Sequence, residues 1–167
     1  GTRHATEYGK LITENLIADL AEYDVSIISG LAYGIDIAAH KSALKHNLPT
    51  IGVLAHGLHT IYPAQHRSIA EKMQLKGGIL TEYAFKTIAD KGNFPKRNRI
   101  VAGMTDATIV VESAISGGAL ITAELANNYN KDVLAFPGNV DQEFSAGCNK
   151  LIRENKAHLL RSANDLI

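Results

Sequence analysis

Between Lys91 and Gly103 the sequence reads Lys-Gly-Asn-Phe-Pro-Lys-Arg-Asn-Arg-Ile-Val-Ala-Gly. Four cations (Lys91, Lys96, Arg97 and Arg99) surround one aromatic ring, Phe94, with no carboxylate inside the stretch. Asn93 and Pro95 predict a helix start, because Asn caps free backbone N–H groups and proline is tolerated in a first turn. A helix N-terminus also favours negative charge. Cations, a ring and unpaired donors together suit a phosphate-bearing strand with an exposed base, the cations holding phosphates and the ring stacking. A solvated amphipathic helix whose Arg97 or Asn98 ties down a neighbouring loop uses the same residues. Composition alone leaves both readings open.

Two glycine turns could add to such a site. Ser29-Gly-Leu-Ala-Tyr-Gly-Ile-Asp36 reads as a strand-to-helix turn, in which Gly30 and Gly34 let the backbone approach a phosphate closely. No GxGxxG or GxxxxGK[ST] occurs, so a dinucleotide or Walker-type site is poorly supported. The alternative is a tight turn whose Asp36 stabilises the following helix, with Tyr33 projecting either as a second stacking surface or as a partly buried ring. Ser116-Gly117-Gly118, before Ala119, is a second such turn, either offering backbone N–H groups or closed by a Ser116 cap. Glu112, Thr122 and Glu124 near it partly imitate the glutamate-bearing turn of nucleoside-monophosphate phosphoribohydrolases, without the second Gly-Thr pair. That enzyme is the rival reading, and a small-nucleotide sensor is a third. His56, His59 and His66 are too loosely spaced for zinc and are expected to be solvated. Ser29, Asp36 and His40 lack a nucleophile elbow, and His40 is expected to pack along its helix. No cofactor, metal or catalytic residue is assigned.

These residues need elements to position them, and the chain supplies strands alternating with helices. Helical spacing marks 7–22 with Thr6 as cap, 35–46, a stretch from Pro63 to about 75, the basic helix, 119–129 and 149–154. Apolar, β-branched runs mark strands at 25–29, 50–54, 78–81, 107–111 and 132–135, with a last edge strand at 158–160. The pattern predicts one α/β domain over 1–167: a Rossmann-like, doubly wound, mostly parallel sheet with helices on both faces. Ligands of such sheets bind beyond the carboxyl ends of the strands, where every glycine turn falls. Gly1-Thr2-Arg3 would fall there too if a strand precedes it, so a first strand is expected outside the numbered sequence. At 167 residues, with 46% hydrophobic and 20% charged residues, the chain can bury a real core. Its 17 basic and 17 acidic residues cancel, so any nucleic-acid binding must be local. No apolar run reaches the roughly 20 residues of a membrane span, and no signal-peptide pattern is seen. A lone Cys148 fits a reducing cytoplasm.

Taken in order, several stretches resemble the DprA (Smf), or DNA-processing protein A, family. They are Gly1-Thr2-Arg3, Ser29 to Asp36 with Ala38-Ala39-His40, Tyr62-Pro63, Phe94-Pro-x-Arg97-Asn98-Arg99-Ile-x-Ala-Gly103, Ser116-Gly-x-x-Leu-Ile-Thr-Ala123, Pro137-Gly138 and Gly147-Cys148-Asn149-x-Leu151-Ile152. No one of them is specific, but the ordered set is, and it covers essentially the whole chain. The family's N-terminal helical region and winged-helix-like domain have no counterpart. Gly118 and His66 depart from the family's more usual Ser and Asn. The resemblance implies a non-enzymatic single-stranded-DNA binder of natural transformation that protects DNA and helps load a RecA-type recombinase. It implies a homodimer through residues 148–160 and no membrane partner. It also implies a binding set of Thr2, Arg3, Ser29, Gly30, Gly34, Lys91, Asn93, Phe94, Arg97, Asn98, Ser116, Gly117 and Gly118. In that set Arg3 and Lys91 hold phosphate, Phe94 lies against bases, and the glycine turns offer N–H groups. Arg97 and Asn98 either contact phosphate or fix a loop.

Overall fold

The computed structural model describes residues 1–167. Helix α1 (Glu7–Leu20) starts where Thr6 accepts the Gly9 N–H on its hydroxyl, 3.0 Å away, and buries Leu16, Ile17 and Leu20 on one face. Strand β1 (Ile27–Ser29) leads into α2 (Ile35–Lys45), then β2 (Thr50–Val53), α3 (Arg67–Met73) and β3 (Gly78–Leu80). The second half repeats the alternation with α4 (Asn93–Met104), β4 (Ala107–Val110), α5 (Gly118–Asn128), β5 (Asp132–Ala135), α6 (Ala146–Arg153) and β6 (His158–Leu159). Each expected element is present. Several strands are shorter than their apolar runs, and α6 begins three residues before the expected Asn149.

Every strand pair is parallel, as connections through helices require. The α/β Rossmann-like architecture is as expected, with one difference. The strands form two three-stranded sheets, β1–β2–β3 and β4–β5–β6, and β1 does not pair with β4. Alternation along β5 shows the two covered faces. Leu134 packs in a core with α1, α2, Val111 and Phe136, whereas Val133 and Ala135 pack on the other face with Ala102 of α4, Ala123 and Ala126 of α5, and Cys148 and Leu151 of α6. A smaller cluster of Leu31, Leu54, Ala70 and Met73 holds α3 against the first sheet. Cys148 is fully buried, and burial pushes its thiol up to about 11, so it serves as a small core residue rather than a nucleophile. No helix is long and apolar enough to cross a membrane.

Candidate functional site

Three turns meet at the carboxyl ends of β1 and β4. The Gly1–Arg3 segment bridges the two halves: the Thr2 N–H donates to the Glu112 carbonyl (2.7 Å), and the Thr2 carbonyl accepts from the Ile35 N–H (3.1 Å). That docking explains Gly34, whose φ is +80° and where a Cβ would overlap the Thr2 carbonyl. Arg3 remains exposed, its guanidinium carbon 5.1 Å from the centroid of Phe94. Phe94 is half-buried, with Tyr62 on another side at 6.0 Å and an interplanar angle of 49°. The ring is therefore neither sealed in the core nor alone.

Arg97 makes loop-fixing contacts. It is 4% exposed, and Nη1 donates to the carbonyls of Gly30 (2.8 Å) and Val53, while Nε donates to Asn98 Oδ1 (3.1 Å). It anchors the first glycine turn from below, and a Cβ at Gly30 would meet its guanidinium at 2.5 Å. Asp36 closes the same turn by accepting the N–H groups of Gly30 (3.1 Å) and Ala32 (3.3 Å). The Gly30 donor is thus engaged within the protein, contrary to the expectation that this turn presents it to a ligand. Burial raises the Asp36 carboxyl, while the positive charge of the Arg97 guanidinium pulls it the other way. Burial in turn pulls Arg97 down from its usual value, opposed by Asp36.

Two helix starts face the same space. At α4 the cap differs from expectation: Asn93 is the first helical residue, and Asp90 closes the preceding turn by accepting the Gly92 N–H on Oδ1 (2.8 Å). Among the cations, Arg99 pairs with Glu82, whereas Arg3, Lys91 and Lys96 are exposed and make no salt bridge. At α5 the cap is Gly117, and Ser116 is exposed and makes no cap bond. The Gly117 N–H donates to Ala114 (3.0 Å), leaving the N–H groups of Gly118 and Ala119 unpaired. Except for Gly34, Asn93 and Ser116, all the binding-set residues line one cleft of about 700 Å³.

Several residues of the competing chemistries are engaged in structural contacts, whereas Glu124 is exposed and Thr122 lines the cleft. Glu112 is 3% exposed and accepts the Thr6 N–H (2.9 Å) and hydroxyl, so it fixes the start of α1; the cavity it lines lies beside Tyr8 and Gln142, apart from the Gly117 turn. His40 is fully buried and its Nδ1–H donates to Thr50 Oγ1 (2.7 Å), which ties it down along its helix as expected; burial lowers its pKa to about 4. The expectation of solvated histidines fails for His56 and His66, which are 1% and 6% exposed. His56 donates to Gly57 O from Nδ1 (2.8 Å) and accepts the Tyr62 N–H on Nε2 (3.2 Å), and His66 Nδ1 donates to Leu31 O (2.7 Å). They buttress the loop that carries Tyr62. Tyr62 itself was part of a sequence motif but not of the expected binding set, and only its distance to Phe94 brings it in.

A model of the family described as DNA recombination-mediator protein A matches residues 1–167. Protein Smf of Synechocystis sp. is 43% identical over the whole chain, which covers 42% of that protein. The X-ray structure of DNA processing protein A from Streptococcus pneumoniae superposes with a TM-score of 0.91 at 37% identity, over 99% of this chain and 58% of that one. The Helicobacter pylori DNA processing protein A, solved to describe its single-stranded-DNA binding mode, gives 0.89 at 30% identity, over 99% of this chain and 75% of that one. The chain spans about half the length of the curated relatives it matches, between 42% and 58% for the first five. With the match unbroken from end to end, the chain belongs to the DNA recombination-mediator protein A family.

Proposed function

We propose that this chain is the single-stranded-DNA-binding domain of a recombination mediator. The observation that carries the reading is the half-buried Phe94 ring, with the Arg3 guanidinium 5.1 Å from its centroid, in the cleft that Lys91 and Gly118 also line. Arg3 and Lys91 take phosphates, Gly118 and Ala119 donate backbone N–H groups to another, and Phe94 stacks on a base. Arg97 and Asp36 act by holding the Gly30 turn in place. The single-stranded-DNA binding mode described for the Helicobacter pylori relative supports the same reading.

The wider role follows from the family: protection of incoming single strands in natural transformation and loading of a RecA-type recombinase, in the cytoplasm. Pairing into a homodimer would use the exposed part of 148–160. Cys148 and Leu151 point into the core, so the surface on offer is Arg153 to Lys156 and the outer edge of β6, where Leu159 is 46% exposed. Strand-type preference tests the reading. In an anisotropy titration a labelled oligothymidine should bind more tightly than a duplex of equal length, because a stacking ring needs an unpaired base. Equal affinity for both would refute stacking at Phe94.

A further inference from the structure

A second cavity, of about 330 Å³, opens between the start of α1 and the loop that joins β5 to α6. Its buried polar residues are Glu112, 3% exposed, and Ser145, 9% exposed, while Asn139 and Gln142 stand exposed at its mouth. Glu112 makes no salt bridge. Its carboxylate accepts only the Thr6 N–H (2.9 Å) and hydroxyl, two of about four lone-pair positions. Thr6 caps α1, so the helix start offsets part of the charge. Buried charges are otherwise paired, because an isolated one is costly to take out of water. The Ser145 hydroxyl finds no hydrogen-bond partner either. Its neighbour Gly138, where a Cβ would come within 2.0 Å of the Ser145 oxygen, bonds Asn149 through both backbone groups instead (3.1 and 2.9 Å).

The lining selects the occupant. One carboxylate among neutral oxygens is a poor seat for a divalent ion, and no three His, Cys, Asp or Glu side chains gather into a metal site. The space also holds about ten waters at roughly 30 Å³ each, more than a bare monovalent ion fills. Two of the lining residues, Tyr8 and Phe144, are aromatic, and an aromatic face attracts an ammonium group. We propose that this cavity binds a small organic amine, with Glu112 as counter-ion to its ammonium. An ammonium brings three N–H donors and no acceptor, which matches the free Glu112 lone pairs and the unpartnered Ser145 hydroxyl. The amide oxygens of Asn139 and Gln142 suit a second ammonium at the mouth, so a short diamine fits best. Phe144 alone of these residues also lines the Phe94 cleft, and the inference does not depend on DNA binding there.

Titration of the 167-residue chain with 1,4-diaminobutane at fixed ionic strength, followed by backbone amide chemical shifts, tests this. The expected result is saturable binding of one diamine per chain, with shifts concentrated at Thr6, Glu112 and 138–145. The neutral isostere 1,4-butanediol should produce none of them. Glu112→Gln keeps an acceptor for Thr6 but removes the charge, and should weaken binding about tenfold or more. Ser145→Ala should weaken it about threefold, and it decides the matter if Glu112→Gln does not fold. Absence of saturable binding, equal shifts with the diol, shifts confined to the Phe94 cleft, or unchanged affinity in the folded variants would each overturn the proposal. The same shifts with sodium or potassium chloride alone would overturn it too, by assigning the cavity to a bare cation.

Discussion

Lys91 stands three residues before Phe94, exposed and without an acidic partner, so the phosphate contact proposed for it is that of a point charge in water. Replacing it with Ala should lower the slope of log affinity against log salt by about 0.7, one single-strand phosphate. Phe94→Ala should instead cost roughly 1–3 kcal/mol of binding with the slope unchanged, because stacking releases no counterions. Parallel salt titrations of the two variants check both. Arg97 is predicted to matter to folding. Arg97→Met would strand the Gly30 and Val53 carbonyls and should lower stability by roughly 2–5 kcal/mol, read from urea midpoints. His40 carries a pH dependence. Its folded pKa of about 4 lies below the ordinary 6.5, so the unfolded chain takes up the proton first as pH falls. Its contribution is complete above pH 6.5 and is lost as pH falls toward 4, on the order of 3 kcal/mol. Urea midpoints at pH 7 and pH 5 should converge in His40→Gln relative to wild type.

Glycines that look alike in the sequence do different work in their turns. Gly34 sits at φ +80° against the Thr2 carbonyl, whereas a Cβ at Gly118 meets nothing within 4 Å. Gly34→Ala should therefore displace the Gly1–Arg3 turn and lower the melting temperature, while Gly118→Ala should leave it nearly unchanged; thermal scans of the pair distinguish them. The elements themselves were legible because amphipathic spacing and β-branched runs are local signals, and the turns fall where strands pass into helices. Long-range partners were not. Nothing near Arg97 in sequence announces carbonyls 67 and 44 residues away, and the buried seats of His56 and His66 depend on Tyr62 and Leu31 folding onto them. At α4, Asn93 had the right chemistry for a cap, but Asp90 closes the turn one step earlier. Strand alternation likewise gives the number and direction of strands but not which edges meet, so the separation of β1 from β4 was invisible.

At the scale of the molecule, the rim draws on both halves. The Gly30 turn and Phe94's neighbour Tyr62 come from the first, and the Gly117 turn from the second, with Thr2 tied to each. In a chain with no net charge the proposed hold on a polyanion must be local, and this seam brings Arg3, Lys91 and the unpaired N–H groups of Gly118 and Ala119 to one cleft. The most direct test is to photocross-link a 5-iodouracil-substituted single strand to the 167-residue chain and identify the modified residue by mass spectrometry. The prediction is an adduct at Phe94 or Tyr62. Adducts confined to surfaces away from the rim, such as the β6 edge, would contradict it.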